Sequence, residues 1–281
     1  MKKLNPPIKL DHNQYLIDII DSKREGDIKI ELGKKKASVL IRYTEYVKQF
    51  NLKDLLPVKD SAFEGGDASL VSCYLSGGKK IAEIKKAIKD LQDKFGNEKC
   101  MYCQIKDPDS FDHYLPKDLY PEFSSLAINL IPCCVTCNKK KDKYWKELGQ
   151  VGIINFYLNS IPIVQFLYAD ITFSNSDYQT PIVKFVLDNK QGIDKATFKI
   201  IEKHYKRLDL AARYKDKVNS VISELKRILN SYGKDLTTAK KIGATADYAS
   251  QLKIDYGINY WKAILLDELS KKTIFYTHNK I

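Results

Sequence analysis

Two cysteine pairs of identical spacing constrain this chain more than any other feature. Cys100 and Cys103 stand in "CMYC", and Cys134 and Cys137 stand in "CVTC", so each pair encloses two residues. A Cys-x-x-Cys segment makes a tight turn that points both sulfurs at one ion, and two such turns offer four thiolates in a tetrahedron. Disulfides are the rival use of paired cysteines. In a reducing compartment, however, this spacing reads as metal binding. Cys133 competes with Cys134 but lacks the two-residue gap to Cys137, and Cys73 lies alone in an apolar stretch and reads as core. The expectation is a structural Zn²⁺ site made by Cys100, Cys103, Cys134 and Cys137.

The chain has 281 residues and a formal charge of +12, with lysine supplying most of the excess. Its length suits one large domain or two modest ones, and its charge suits a polyanionic partner. The opening "MKKLNPPIKLDHNQYL" has no apolar stretch of signal-peptide length. The most apolar segment, "IPIVQFLYADITF", carries Gln165 and Asp170 and falls short of the ~18–20 residues that span a bilayer. A soluble, cytoplasmic protein with no membrane segment is expected.

Periodicity changes along the chain. "ASVLIRYTEYVKQF" has apolar residues at helical intervals, and in "KKIAEIKKAIKDLQDKFG" Ile81, Ile84, Ile88, Leu91 and Phe95 share one face opposite the lysines. Gly96 is expected to end that helix. "IPIVQFLYADITF" and "PIVKFVLD" read as two strands joined by "SNSDYQT". Val218, Val221, Ile222, Leu225, Ile228 and Leu229 form a later amphipathic stripe, and "YWKAILLDELSKK" forms another, ending before "TIFYTHNKI". The fold class is α+β: a mostly helical protein around a central compact metal-binding core, with a short β element after it. The expected boundaries are a helical region over 1–96, the core over 97–149, the β element over 150–190 and a second helical region over 191–281.

The residues between the cysteine pairs ask for more than a binding ribbon. Asp112 and His113 precede "YLPK", at the end of an expected strand, and Asn138 directly follows the last cysteine, where a helix "NKKKDKYWKEL" should begin. A zinc joining Cys100 to Cys137 would bring Asp112, His113 and Asn138 together. One carboxylate, one amide oxygen and one imidazole result. Hard oxygen ligands suit Mg²⁺ or Mn²⁺, and a neutral imidazole suits proton abstraction from water. Each residue also has a plainer use, for Asp112 could cap a turn and Asn138 could cap the helix. Lys139, Lys140, Lys141, Lys143 and Lys146 follow along that helix, where Trp145 and Leu148 are expected to pack it onto the hairpin. With Lys117, the residues Lys139 and Lys141 are candidates for phosphate contact. His204, in mid-helix, reads as a packed histidine.

From Cys100 to Leu148 this order of residues resembles the HNH endonuclease family, whose core is a ββα-metal finger. It is similar to HNH nucleases of bacterial restriction and anti-phage systems such as Septu, some of which work with a partner ATPase. The resemblance implies that His113 is the general base and that Asp112 and Asn138 hold a catalytic Mg²⁺ or Mn²⁺. Asn129 would be the middle Asn that braces the loop and orients His113. The form is H-N-N, and "KDLYPEFSSLAI" replaces the Gly-Gly turn that many members carry. It further implies metal-dependent hydrolysis of DNA phosphodiester bonds in bacterial defence or restriction. Implied partners are DNA, a partner ATPase or other defence-system subunit, or a second copy of the chain. The alternative is a non-catalytic zinc module that binds nucleic acid or protein. That module would need the cysteines but not Asp112, His113 and Asn138 together.

Overall fold

The computed structural model describes residues 2–174, 177–231 and 236–278, in two compact units that meet in sequence at Ser160 and Ile161. In the unit Lys3–Ser160, α1 (His12–Asp21) begins at Asp11, whose carboxylate accepts from the Gln14 N–H. The long α2 (Asp27–Asn51) buries Leu32, Val39, Tyr43, Tyr46 and Phe50 at helical intervals. Asp67 caps α3 (Ala68–Leu75). The next helix, α4 (Gly78–Asp90), buries Ile81, Ile84 and Ile88 and turns Lys86 and Lys89 outward.

The expected run through to Gly96 is two helices. α4 stops at Asp90, and α5 (Lys94–Glu98) restarts from Asp93, whose carboxylate accepts from the Gly96 N–H at 2.7 Å. Gly96 therefore lies inside a helix rather than ending one. A Cβ there would come within 3.1 Å of the Gln92 Cβ, so the glycine permits close packing. Leu91, at the break, is 41% exposed and leaves the apolar face.

A short hairpin follows. β1 (Ser110–His113) pairs antiparallel with β2 (Leu130–Cys133), setting Asp112 opposite Ile131 and His113 opposite Leu130. The connection over 114–129 is almost wholly buried and contains 3₁₀ turns at Pro121–Phe123 and Ala127–Asn129. α6 (Val135–Lys141) leaves β2 at once and packs back on β1.

α6 is much shorter than the lysine-rich helix expected from the sequence. Its end is set by Asp142, which takes φ 51°. The chain then forms β3 (Lys146–Glu147) and β4 (Gln150–Val151) around a turn in which Leu148 and Gly149 both have positive φ. Two left-handed residues in sequence are the signature of a primed hairpin turn. Trp145 is buried as expected, edge-on to Tyr114 and Tyr120, but Leu148 is 97% exposed and packs nothing onto the hairpin.

In the second unit, β5 (Leu167–Ser174) pairs antiparallel with β6 (Asp177–Leu187). Of the expected joining segment "SNSDYQT", Asn175 and Ser176 lie outside the described residues. The first strand was expected from Ile161, yet pairing begins at Leu167. Asn259 explains the start: its Oδ1 accepts from the Phe166 and Leu167 N–H groups, and its Nδ2 donates to the Val164 carbonyl. Six helices follow among the described residues: α7 (Lys195–Leu208), α8 (Leu210–Lys215), α9 (Val218–Ser231), α10 (Thr238–Tyr256), α11 (Trp261–Ser270) and α12 (Thr273–His278). Tyr214 stacks on Trp261 at 5.4 Å, with Phe185 edge-on to both. His204 is buried in α7, and Ile228 is the half-exposed member of the α9 stripe. The segment from Thr273, expected to be non-helical, forms α12 and buries Phe275 and Tyr276.

The two halves of the Trp145 and Leu148 expectation have opposite consequences. Trp145→Ala should cost ~3–5 kcal/mol as a large buried aromatic, whereas Leu148→Ser should stay within about 0.5 kcal/mol of wild type. Urea unfolding followed by circular dichroism separates them. A Leu148→Ser loss as large as that of Trp145→Ala would contradict the exposed turn.

Candidate functional site

The four cysteines of the two pairs converge. Cys100, Cys103, Cys134 and Cys137 are all buried, and their Sγ atoms lie within 4.8 Å of one another. The Sγ atoms of Cys103 and Cys134 are 3.8 Å apart, close to the ~3.8 Å edge of a tetrahedron with ~2.3 Å zinc–sulfur bonds. The first turn is built to present its sulfurs. Cys100 N–H donates to the Lys106 carbonyl, Cys103 and Gln104 N–H groups both donate back to the Cys100 carbonyl, and Gln104 takes φ 54°. Burial pushes the Cys100 thiol well above its usual range, a cost that a dication would remove by binding the thiolate. These four buried cysteines could hold a structural metal such as zinc. Cys133 stays outside the cluster, against the Ser110 hydroxyl, and burial raises the Cys73 thiol to about 11, as suits a core cysteine.

Asp112, His113 and Asn138 do come together. They line one groove of ≈ 960 Å³, on the hairpin and the start of α6. The His113 ring is fixed on two sides: Tyr74 of α3 meets it edge-on at 4.5 Å, and Nε2 lies 2.9 Å from the Ser124 carbonyl oxygen. A carbonyl only accepts, so Nε2 carries the proton and Nδ1 keeps its lone pair. Burial pushes the imidazole down to about 3, and the Lys117 and Lys141 cations act in the same direction against the Ser124 bond. The ring is therefore neutral at physiological pH, in a tautomer able to accept a proton at Nδ1.

Asp112 is 2% exposed, and both its oxygens have partners. Oδ2 accepts from the Tyr102 hydroxyl at 2.7 Å, and Oδ1 accepts from the Lys141 ammonium at 3.0 Å. Burial pushes its carboxyl above the ordinary range, opposed first by Lys141 and then by Tyr102. Lys141 also donates to the His113 carbonyl at 2.8 Å and is fully buried. That corrects its expected role, because its ammonium is enclosed by protein and does not face the groove. Asn138 donates from Nδ2 to the Ser110 hydroxyl and the Phe111 carbonyl. These bonds orient the amide and leave its oxygen out of them.

Asn129 spends its side-chain hydrogen bonds on the loop and on α2, and none of them goes to the His113 ring. Its Oδ1 accepts from the Leu115 N–H and the Tyr46 hydroxyl, and its Nδ2 donates to the Leu115 and Phe123 carbonyls. All four hydrogen-bonding positions of the amide are used inside the loop. Ser124, which follows Phe123, supplies the carbonyl that meets His113. Lys117 and Lys139 do line the groove, Lys117 half-buried beside Asp118 and Lys139 exposed. Lys143 and Lys146 fall after α6 ends, and Lys146 pairs with Asp60.

Sequence reasoning missed Tyr102, Tyr74, the Ser124 carbonyl, and the α4 side chains Lys85, Lys86 and Lys89 that line the groove. Tyr102 lies inside the first cysteine pair, next to Cys103, and that proximity was the available signal. A backbone carbonyl leaves none.

Among known proteins the chain is similar to Protein ea31 of Escherichia phage lambda, 27% identical over 198 residues, which is 64% of each protein. It is also similar to Septu protein PtuB of Bacillus thuringiensis, 34% identical over 93 residues, which is 30% of this chain and 35% of that protein. The chain thus spans under two thirds of the length of either relative. No protein-family model matches the chain, and no solved structure does. No helix among the described residues is long and apolar enough to cross a membrane.

Two measurements test the site's framework. Freshly purified protein should carry about one zinc per chain by elemental analysis, and Cys103→Ser or Cys137→Ser should lower both zinc content and thermal stability. Folded protein free of zinc would refute the assignment. Separately, Lys141→Met should cost ~3–5 kcal/mol, because it strands the buried Asp112 carboxylate. Adding Asp112→Asn to Lys141→Met should recover much of that loss, and additive losses in the double variant would rule out the coupling.

Proposed function

We propose that the chain is a metal-dependent endonuclease of the HNH type that hydrolyses DNA phosphodiester bonds. The observation that carries the reading is His113: a buried, neutral imidazole, held through Nε2 by a backbone carbonyl, lining one groove with a carboxylate and an oriented amide. The ββα arrangement of β1, β2 and α6 beside four convergent cysteines supports it, as does the similarity to Septu protein PtuB.

In this reading His113 Nδ1 takes the proton from an attacking water, and the Ser124 carbonyl stabilises the imidazolium that forms through its bond to Nε2. Asp112 and Asn138 would hold a Mg²⁺ or Mn²⁺ ion. Two protein donors suit such an ion, which commonly keeps waters and takes substrate phosphate oxygens for its remaining positions. When bound, it would supply positive charge to the phosphoryl group and leaving oxygen. Each Asp112 oxygen accepts one hydrogen bond and retains a further lone pair for a ligand. The cysteine site would be structural, since four thiolates leave zinc no open position. Asn129 would act on His113 only through the loop, as a positioning residue. A partner ATPase or other defence-system subunit fits the Septu similarity, and a second copy of the chain would supply the second cut of a duplex.

Plasmid cleavage in Mg²⁺ or Mn²⁺ tests the assignment. His113→Ala should lose ~10²–10⁴-fold in rate with zinc content unchanged. Asn138→Ala should be partly rescued by raised Mn²⁺, whereas His113→Ala should not be. Equal cleavage by wild type and His113→Ala would remove the catalytic reading and leave a zinc-binding adaptor.

A further inference from the structure

The groove that holds His113 is bordered by a helix outside the hairpin and α6. Lys85 and Lys89 of α4 line it, as does Lys139 of α6. Among the described residues, none of these three has a carboxylate within 4.0 Å. Five acidic residues line the groove, of which Asp142, just past α6, is exposed and the other four are already engaged. Asp90 pairs with Lys86, Asp118 with Lys117 and Asp112 with Lys141, while Asp109 accepts from the Val135 N–H.

Lys85 and Lys89 are nevertheless held in place. The Lys85 Nζ lies 4.2 Å from the centroid of the Tyr74 ring, the same ring that meets His113 edge-on, and both ammonium groups lie 5.9 Å from the Phe111 ring. Aromatic faces attract cations without neutralising them. The two lysines stand four apart on one helix face, where like charges repel, and Lys85 is partly buried there. Two oriented cations with no carboxylate within 4.0 Å, beside a candidate hydrolytic base, form a receptor for repeated anions. On a chain of net charge +12, the matching ligand is a polyanion whose charges recur along its length.

We propose that Lys85 and Lys89, together with Lys139, form a phosphate track that seats the backbone of a nucleic acid across the His113 groove. α4 then belongs to the substrate-binding surface, and the aromatic pair Tyr74 and Phe111 sets the height of its cations over the site. The inference rests on the hydrolytic reading for its substrate class, but its test does not require cleavage.

The experiment follows the binding of short labelled DNA and RNA duplexes by fluorescence anisotropy across roughly 50–200 mM salt, without added divalent ions. Wild type is compared with Lys85→Ala/Lys89→Ala and with Lys48→Ala/Lys59→Ala. The second pair loses the same charge from exposed lysines that do not line the groove. Removing two phosphate contacts should lower the slope of log affinity against log salt by ~2, while the control pair keeps the wild-type slope. The polymer whose binding shows this fall is the one the track takes. An unchanged slope in the α4 variant, an equal fall in the control, or no wild-type binding to either polymer overturns the proposal. Plasmid cleavage run in parallel keeps the two claims apart. Wild type that binds with the expected slopes but does not cleave retains the track and defeats the nuclease. Wild type that cleaves while the α4 variant keeps the full slope does the reverse.

Discussion

A polar loop buried along almost its whole length is the constraint on which the site depends. Residues 114–129 join β1 to β2 under protein rather than over its surface, so every backbone group there needs a partner or costs about 1–3 kcal/mol. Asn129 meets three of these demands with one side chain, the loop's own turns meet others, such as Phe123 N–H to the Tyr120 carbonyl and Ser124 N–H to the Pro121 carbonyl, and α2 holds the loop's polar side chains. The Tyr46 hydroxyl reaches Asn129, the Tyr43 hydroxyl reaches Ser125, and Arg42 pairs with buried Glu122 at 3.0 Å. Ser124 is anchored in turn by its own hydroxyl, which donates to the Leu70 carbonyl of α3. The carbonyl that selects the His113 tautomer is thus positioned by two helices distant in sequence. Loop, imidazole and helical scaffold form one connected polar network.

Electrostatics within the hairpin follow from the same burial. A carboxylate at the position of Asp112 would be driven towards its neutral form by desolvation. Lys141 opposes that shift, and Tyr102 adds a second hydrogen bond. An apolar pair of similar volume commonly stabilises a core as well as a buried ion pair does. The ion pair keeps a charged carboxylate among the residues lining the groove, which an apolar pair would not. Lys141 therefore bears on the proposed chemistry from behind Asp112, where it meets no phosphate.

The hairpin and its cysteine site were legible in the sequence because their signals are local. The Cys-x-x-Cys spacing and the β1 strand end at His113 can each be read within a few residues, whereas the helix expected to begin at Asn138 starts at Val135 and carries Asn138 inside it. The fold class was legible too, because α2, α4 and α9 bury apolar stripes at helical intervals. The errors have particular causes. "LG" at Leu148 and Gly149 lacks the Asn or Asp that usually announces a primed turn, so the lysine run read as a continuing helix. Asp93 caps a new helix within a stretch whose apolar spacing runs on past it. Asn259 takes the backbone groups before Leu167 from more than ninety residues away, which no local window could detect. Lys141 was misassigned because charge alone suggested a surface position, and its carboxylate partner comes from a strand 29 residues earlier.

The same separation of scales explains how the proposed site divides its labour. The cysteine turns fix where the hairpin and α6 meet, and so fix the relative positions of Asp112 and Asn138. They do not touch the His113 ring, whose orientation comes from Ser124 and Tyr74, on the buried loop and α3. The Asp112–Asn138 geometry and the His113 geometry thus rest on different supports, joined where Lys141 bonds both the Asp112 carboxylate and the His113 carbonyl. A disturbance of the helical scaffold would reach the imidazole before it reached Asp112 and Asn138. Tyr74 lies on that scaffold, between the His113 ring and the Lys85 cation, so an anion drawn to Lys85 would sit one aromatic ring away from the His113 imidazole.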